Sequence, residues 1–77
     1  MREYIFDYSK LKGKIREKYK VQENFAKVLG IANNTLSTKL NNTSDFSQLQ
    51  IYKAINALEL QKSDVCDYFF SLEVQKN

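Results

Sequence analysis

The sequence predicts an all-α fold, a compact domain of five helices, and three observations indicate that class. Apolar residues recur at helical spacing along most of the chain, there is no proline and there are only two glycines, and strand-favouring runs occur only near the ends. The 77 residues suffice for one small hydrophobic core. No change of composition marks a linker, so a single domain is expected over residues 1–77.

The first predicted helix covers about residues 8–19. Asp7 or Ser9 is expected to cap it, because a short polar side chain can accept a hydrogen bond from the exposed amides of a first turn. Gly13 weakens the helix slightly. Its inward-facing stripe, at spacings of four residues, comprises Leu11, Ile15 and Tyr19.

Two short helices joined by a glycine are predicted next, over residues 22–29 and 33–40. Gly30 falls where a helix commonly ends with a residue in the left-handed conformation. The core-facing residues are Phe25, Ala26 and Leu29 in the first of these helices and Leu36 and Leu40 in the second. The opposite face of the second helix is polar, small and uncharged; it comprises Asn34, Ser37, Thr38 and Asn41.

A fourth helix is predicted from its cap, Ser47, to Leu60, and a fifth begins at its cap, Ser63. The apolar positions are Leu49, Tyr52, Ile55, Ala57 and Leu58 in the fourth helix and Val65, Cys66, Phe69 and Phe70 in the fifth. The terminal runs 4–6 and 72–74 favour extended structure. They are expected to cover the ends of the core; the alternative is that they pair, within one chain or across a dimer.

Positive charge is concentrated in the first half of the chain. Residues 1–40 carry nine Lys or Arg against four acids, a net +5, whereas residues 41–77 carry three against five, a net −2. Lys10 and Lys14 share one face of the first helix. Such basic surface supplies non-specific affinity for nucleic-acid phosphates by releasing counterions; an ordinary solvated surface is the alternative for each lysine.

The inventory of side chains excludes most other functions. Without histidine and with a single cysteine, Cys66, the chain offers no nucleophile-and-base pair and no zinc-ligand spacing. A glycine-rich phosphate loop is also lacking. We therefore expect no enzyme activity, no metal, no cofactor and no small-molecule ligand. The single cysteine and the lack of a signal sequence or long apolar run predict a cytoplasmic protein without membrane contact.

Residues 8–60 resemble the Cro/repressor type of helix-turn-helix, a lambda-repressor-like fold found in phage and bacterial regulators. The positions that carry the resemblance are Gln22, Ala26, Gly30 and Leu36. The flanking segments FDYSKLKG (6–13), KLNN (39–42) and DFS (45–47) look more narrowly like small Cro-like regulators of Gram-positive phages or prophages. Two features depart from the family pattern. Val21 and Ala32 stand where Ser or Thr usually caps a helix, and Leu40 stands where an acidic residue is common.

The resemblance implies a sequence-specific DNA-binding transcriptional regulator, a repressor, that reads an operator through the major groove. Its partner would be double-stranded DNA carrying an inverted repeat, bound by a homodimer in the bacterial cytosol. The predicted base-reading residues are Asn33, Asn34, Ser37 and Thr38, since amides and hydroxyls can hydrogen-bond base edges. The predicted DNA-backbone contacts are Gln22, Lys10, Lys14, Thr35, Lys39, Asn41, Asn42 and Thr43. Asn33 lies nearer the core side, so bracing the motif is its alternative role.

Two other functions stay open at this point. The chain can be an antitoxin that binds its own operator and also a toxin, with the aromatic C-terminal surface holding the toxin. It can also be a protein interaction module that keeps the fold and binds a host factor or another repressor. The basic first half favours DNA, because a protein interaction module does not need it.

Overall fold

A computed structural model describes residues 4–73 of the chain. That part contains five α-helices and a single 3₁₀ turn at Lys62–Asp64. The helices are α1 (Ser9–Tyr19), α2 (Gln22–Leu29), α3 (Asn33–Leu40), α4 (Gln48–Ala57) and α5 (Val65–Phe69). The predicted all-α class with five helices is confirmed, and the predicted bounds of α2 and α3 are those observed.

One hydrophobic core connects the five helices. Phe25 and Leu36 are completely buried, so α2 and α3 meet over their apolar faces. Burying a large apolar side chain contributes about 1.5–3 kcal/mol, which makes these contacts the main source of stability. The core residues are Tyr8, Leu11, Ile15, Phe25, Ala26, Leu29, Leu36, Leu40, Ala54, Leu58 and Phe69.

The turn between α2 and α3 has the predicted geometry. Gly30 adopts a left-handed conformation with φ 77°, and the amide of Ile31 donates to the carbonyl of Ala26 at 3.1 Å. Val21 and Ala32 occupy the N-cap positions of α2 and α3 without a side-chain cap hydrogen bond. Both helices therefore begin with amides that no capping side chain satisfies.

The start of α1 differs from the prediction. The N-cap position is Tyr8, so neither Asp7 nor Ser9 is the cap. The Asp7 carboxylate instead accepts hydrogen bonds from the amide and the hydroxyl of Ser9, at 2.9 and 2.6 Å. These bonds hold the pKa of Asp7 below its ordinary value, because they favour the charged form.

The fourth helix has the predicted cap but a different end, and its predicted apolar face is buried only in part: Leu58 is fully buried and Ile55 and Ala57 are half-buried. Ser47 and Gln50 form a reciprocal capping box. The helix ends at Ala57 instead of Leu60. Leu49 and Tyr52, expected to face inward, are 61% and 63% exposed. Ala54 is fully buried in their place, because its small side chain lets α4 approach α2 closely.

The last helix begins differently as well. Ser63 does not cap it; the 3₁₀ turn starts after Gln61, whose amide donates to the Asp64 carboxylate at 3.3 Å. Only Phe69 of the predicted apolar set is fully buried, whereas Cys66 and Phe70 are exposed. The shortness of α5 explains this, since five residues present only one inward position.

The two terminal segments pair within the chain. Phe6 and Leu72 form an antiparallel bridge, flanked by hydrogen bonds from the Asp7 amide to the Ser71 carbonyl at 2.7 Å and from the Glu73 amide to the Ile5 carbonyl at 2.8 Å. Of the alternatives for these runs, pairing within one chain is the one observed, and Phe6 also packs against the core. Val74 lies outside the described residues.

Candidate nucleic-acid interface

Helix α3 presents the predicted polar face to solvent. Its buried residues Leu36 and Leu40 fix it against the core, so the remaining positions point outward or lie at the edge. Ser37 is half-buried. The exposed members of the predicted set on this helix are Asn33, Asn34, Thr35 and Thr38.

Gln22, the first residue of α2, connects to two of these side chains. Its Nε2 donates to the Asn33 Oδ1 at 3.0 Å and to the Ser37 Oγ at 2.8 Å. Both protons of the amide nitrogen are thus used, and the start of α2 is tied to the first two turns of α3. The observed contact fits the bracing role for Asn33, and it fixes the position of Gln22 beside the predicted reading residues.

Thr38 turns back onto its own helix. Its hydroxyl donates to the Thr35 carbonyl at 2.7 Å and lies 3.0 Å from the Ser44 hydroxyl. Asn34 differs from Asn33, Ser37 and Thr38 because its side chain makes no hydrogen bond with residues 4–73. Asn34 is therefore the predicted base reader whose donor and acceptor both remain available.

The predicted backbone contacts after α3 fall into two groups. Lys39 is 9% exposed, and its Nζ donates to the Asp45 carbonyl at 2.8 Å, so its charge lies against the chain. Asn42 is partly buried and hydrogen-bonds the backbone of Phe6. Asn41 and Thr43 are exposed.

Lys10 and Lys14 have partners on α5 and α1, and neither lines the groove beside α3 that is described below. Lys10 lies 3.9 Å from the Asp67 carboxylate and 5.8 Å from the centre of the Tyr68 ring, both on α5. Lys14 pairs with Glu17 at 3.5 Å. These two predicted phosphate contacts are therefore engaged by acidic side chains in the structure.

A different set of cations lies beside α3. Lys12, Arg16 and Lys20 line a groove of about 320 Å³ together with Ile15, Val21, Gln22 and Leu40; we call it the basic groove. None of the three cations forms an ion pair with another residue between 4 and 73. The sequence does contain a signal for them, namely the spacing of four residues that puts 12 and 16 on one helical face, with Lys20 four residues further on, just before Gln22.

A second cavity, of about 420 Å³, is apolar. Aromatic side chains dominate it, with Tyr4, Phe6, Tyr8, Phe46, Phe69 and Phe70 joined by Asp45 and Ile51. It contains none of the predicted DNA contacts. Across the described segment no three His, Cys, Asp or Glu side chains are grouped so that they could hold a metal ion, and no helix is long and apolar enough to cross a bilayer.

The fold and this surface define a small all-helical protein with an exposed polar helix beside a basic groove. The chain belongs to the family described as "Protein of unknown function (DUF739)", whose model matches residues 4–72. It is similar to the solution structure of the modulator of repression of the temperate bacteriophage TP901-1 from Lactococcus lactis, with 43% identity and a TM-score of 0.75. That similarity covers 91% of this chain and 95% of the phage protein. A comparison with curated proteins gave no match.

Proposed function

We propose that this chain is a phage-type transcriptional regulator, a Cro-like helix-turn-helix protein that binds operator DNA with α3 in the major groove. The solved relative, a modulator of repression from a temperate phage, supports a regulatory role in a phage or prophage. At 43% identity over nearly the whole of both chains, the two proteins are close enough for the comparison to bear on function as well as fold.

The observation that carries the DNA-binding part of the proposal is the exposure and hydrogen bonding of the Asn34 side chain. Its side chain is exposed on α3 and makes no hydrogen bond within residues 4–73, while the neighbouring Asn33 and Ser37 are held by Gln22. A free amide on a rigid, braced helix can offer a paired donor and acceptor to adenine without first breaking an internal bond.

The proposal includes a homodimer on an inverted repeat. An eight-residue reading helix makes few base contacts, so one copy would bind weakly. Two copies on half-sites about 34 Å apart would combine their contacts on the same face of the duplex. The operator would lie in double-stranded DNA, and repression would follow from blocking a promoter.

A binding titration tests the proposal. The protein is titrated against the DNA upstream of its own gene and against random duplex, at two salt concentrations. We expect a preference for the upstream DNA. Asn34→Ala should reduce that preference by about 1–3 kcal/mol with little effect on random DNA. Asn56→Ala is the matched control, because Asn56 is also an exposed helical asparagine but lies on α4; equal losses in both variants would contradict the proposal.

One observation favours a second function, binding to a repressor protein. Lys39 is the only cation of α3, and its Nζ is engaged by the Asp45 carbonyl. The exposed face of α3 is therefore uncharged, which suits a protein partner as well as base edges. The name of the solved relative, a modulator of repression, is compatible with such a partner. Association with a purified phage repressor that persists without DNA and at high salt, together with no preference for upstream DNA, would favour this function.

A further inference from the structure

We propose that the basic groove on α1 is a second nucleic-acid contact, which binds the phosphodiester backbone next to the bases that α3 reads. The residues are Lys12, Arg16 and Lys20, with Gln22 at the junction with α3. This inference rests on the proposed DNA-binding function and adds to it the part of the surface that holds the strand.

The cations of α1, taken with Lys20 directly after it, separate into a paired set and an unpaired set. Lys10, Lys14 and Lys18 each have an acidic partner, respectively Asp67, Glu17 and Glu59. Lys12, Arg16 and Lys20 have no ion-pair partner between residues 4 and 73, and only Lys12 contributes, as the smallest cause, to the lowered pKa of Asp7. Like charges four residues apart destabilise a helix. In the basic groove no acidic side chain offsets this repulsion, whereas acidic partners offset it for Lys10, Lys14 and Lys18.

The backbone at Lys20 indicates that its position is held under strain. Lys20 has φ 70° and ψ −55°, and the Val21 amide donates to the Tyr19 carbonyl at 2.7 Å across it. This is the γ-turn that L-residues rarely adopt. A conformation of this kind persists only where the surrounding structure fixes it. Here it turns the chain directly from α1 into Gln22, so the last cation stands at the border of the reading motif.

The basic groove and α3 share Gln22. Its side chain lines the groove and at the same time donates to Asn33 and Ser37 of α3. A strand lying in the groove would therefore continue onto the reading face. Lys12 and Arg16 stand about 6 Å apart along the helix axis. Each can therefore contact a separate phosphate of one strand, with Lys20 placed for a third.

The uncharged α3 face increases the need for such a contact. Because the Nζ of Lys39 is engaged, little of the affinity for phosphates can come from α3 itself. Phosphate neutralisation supplies most of the non-specific affinity of DNA-binding proteins. Lys12, Arg16 and Lys20 line a groove together with Leu40 of α3, so they can supply it beside α3.

The test compares two triple variants of equal charge change in the full chain. The groove variant is Lys12→Gln, Arg16→Gln and Lys20→Gln; the control variant is Lys10→Gln, Lys14→Gln and Lys18→Gln in the paired set. Binding to the upstream DNA and to a short random duplex is measured over a range of salt concentrations. Circular dichroism and thermal unfolding verify that each variant is folded, and the three single groove variants replace the triple if it is not.

Each lost phosphate contact should reduce the slope of log affinity against log salt by about 0.9. We expect the groove variant to lose about 2–3 units of slope on both DNAs, and the control variant to lose less than one. Equal loss in the two variants would overturn the groove as a defined site and indicate diffuse charge attraction.

The outcomes separate this inference from the proposed function. If the groove variant alone loses slope on random duplex but the wild type shows no preference for upstream DNA, the groove stands and the reading function of α3 fails. If the wild type prefers the upstream DNA but the groove variant loses no more slope than the control variant, the reading function of α3 stands and the groove fails as a phosphate site. If the wild type binds neither DNA, both fail, and an acidic protein surface becomes the partner to test.

Discussion

The side-chain amide of Asn42 forms two hydrogen bonds with the backbone of Phe6, 36 residues away in sequence. The Asn42 Oδ1 accepts from the Phe6 amide at 2.8 Å, and its Nδ2 donates to the Phe6 carbonyl at 2.9 Å. Asn42 has φ 64°, a conformation that asparagine tolerates better than most residues. The amide thus imitates one residue of a neighbouring strand and fastens the N-terminal segment just beyond the end of α3.

Replacing Asn42 by alanine should lower the free energy of unfolding by about 2–3 kcal/mol. The Phe6 amide and carbonyl are partly buried and would lose their partners, which costs about 1 kcal/mol or more each. Alanine would also be strained at a positive φ. The measurement is urea unfolding. Asn42→Gly separates the two causes because it keeps the backbone freedom, and Asn41→Ala is the exposed control; a loss no larger than that of Asn41→Ala would contradict this account.

Gln22→Ala should reduce the preference for operator DNA as well as the affinity for random DNA. The substitution frees Asn33 and Ser37 from the hydrogen bonds that now fix them, so reading precision falls. It also releases the start of α2, beside the basic groove, from α3, so affinity for random DNA falls as well. Fold stability should decline by only about 1 kcal/mol, because the site is partly exposed to water. The binding titration measures both quantities. A loss confined to random DNA, with preference unchanged, would show that the brace has no part in reading.

Supplying the missing cap of α2 should stabilise the protein. Val21 sits at the N-cap in an extended conformation with φ −125° and ψ 151°, and it is 55% exposed. Val21→Thr places a hydroxyl where it can accept from the exposed amides of the first turn, a gain of about 1 kcal/mol. Val21→Ala is the control, since it changes the packing without adding an acceptor. A urea midpoint for the threonine variant no higher than that of the alanine variant would refute the prediction.

The ion pair between Lys18 and Glu59 should make stability depend on pH at the acidic end. The Lys18 ammonium donates to the Glu59 carboxylate, which holds the pKa of Glu59 below its ordinary value of 4.5 and raises the pKa of Lys18. Because the folded pKa of Glu59 is lowered, its contribution is present above the unfolded pKa and is lost as pH falls through the folded pKa.

Thermal unfolding of the wild type and of Glu59→Gln over an acidic pH series measures this contribution. The variant should melt at a lower temperature near neutral pH, and the two curves should converge below the folded pKa of Glu59. Gln61→Ala, which changes the same loop between α4 and the 3₁₀ turn but not the ion pair, should show no such convergence. A difference that stays constant down to the lowest pH would show that it does not arise from the charge of Glu59.

The sequence was sufficient to predict α2 and α3 because local rules agree there. Phe25, Ala26 and Leu29 define one apolar stripe, and Gly30 supplies the left-handed residue that ends it. In α4 two apolar stripes compete. Leu49 and Tyr52 are larger, and more apolar surface would be buried with them, yet the buried stripe passes through Ala54. The reason is that α2 approaches closely at this point, where a small side chain fits. That choice depends on the neighbouring helix and is not contained in the periodicity of α4.

The candidate interface was predictable in outline but not in the state of each side chain. The sequence indicates that Asn33, Asn34 and Ser37 are polar and near one face. It does not indicate that the Gln22 side chain donates hydrogen bonds to two of them, since Gln22 belongs to α2 and its acceptors belong to α3. Likewise the burial of Lys39 depends on where the loop carries the Asp45 carbonyl. For Lys12 and Arg16 the helical spacing was readable, but which face of α1 adjoins α3 followed only from the packing.

The pairing of Phe6 with Leu72 has a consequence for the order of folding. The contacts among α1, α2 and α3 join segments that are near in sequence, whereas this bridge joins the two ends of the described chain. Closing a longer loop costs more entropy, so native contacts of low sequence separation form first. We therefore expect the pairing of Phe6 with Leu72 to form after the helices have assembled, and the amide protons of Asp7 and Glu73 to exchange with solvent faster than those of the core helices.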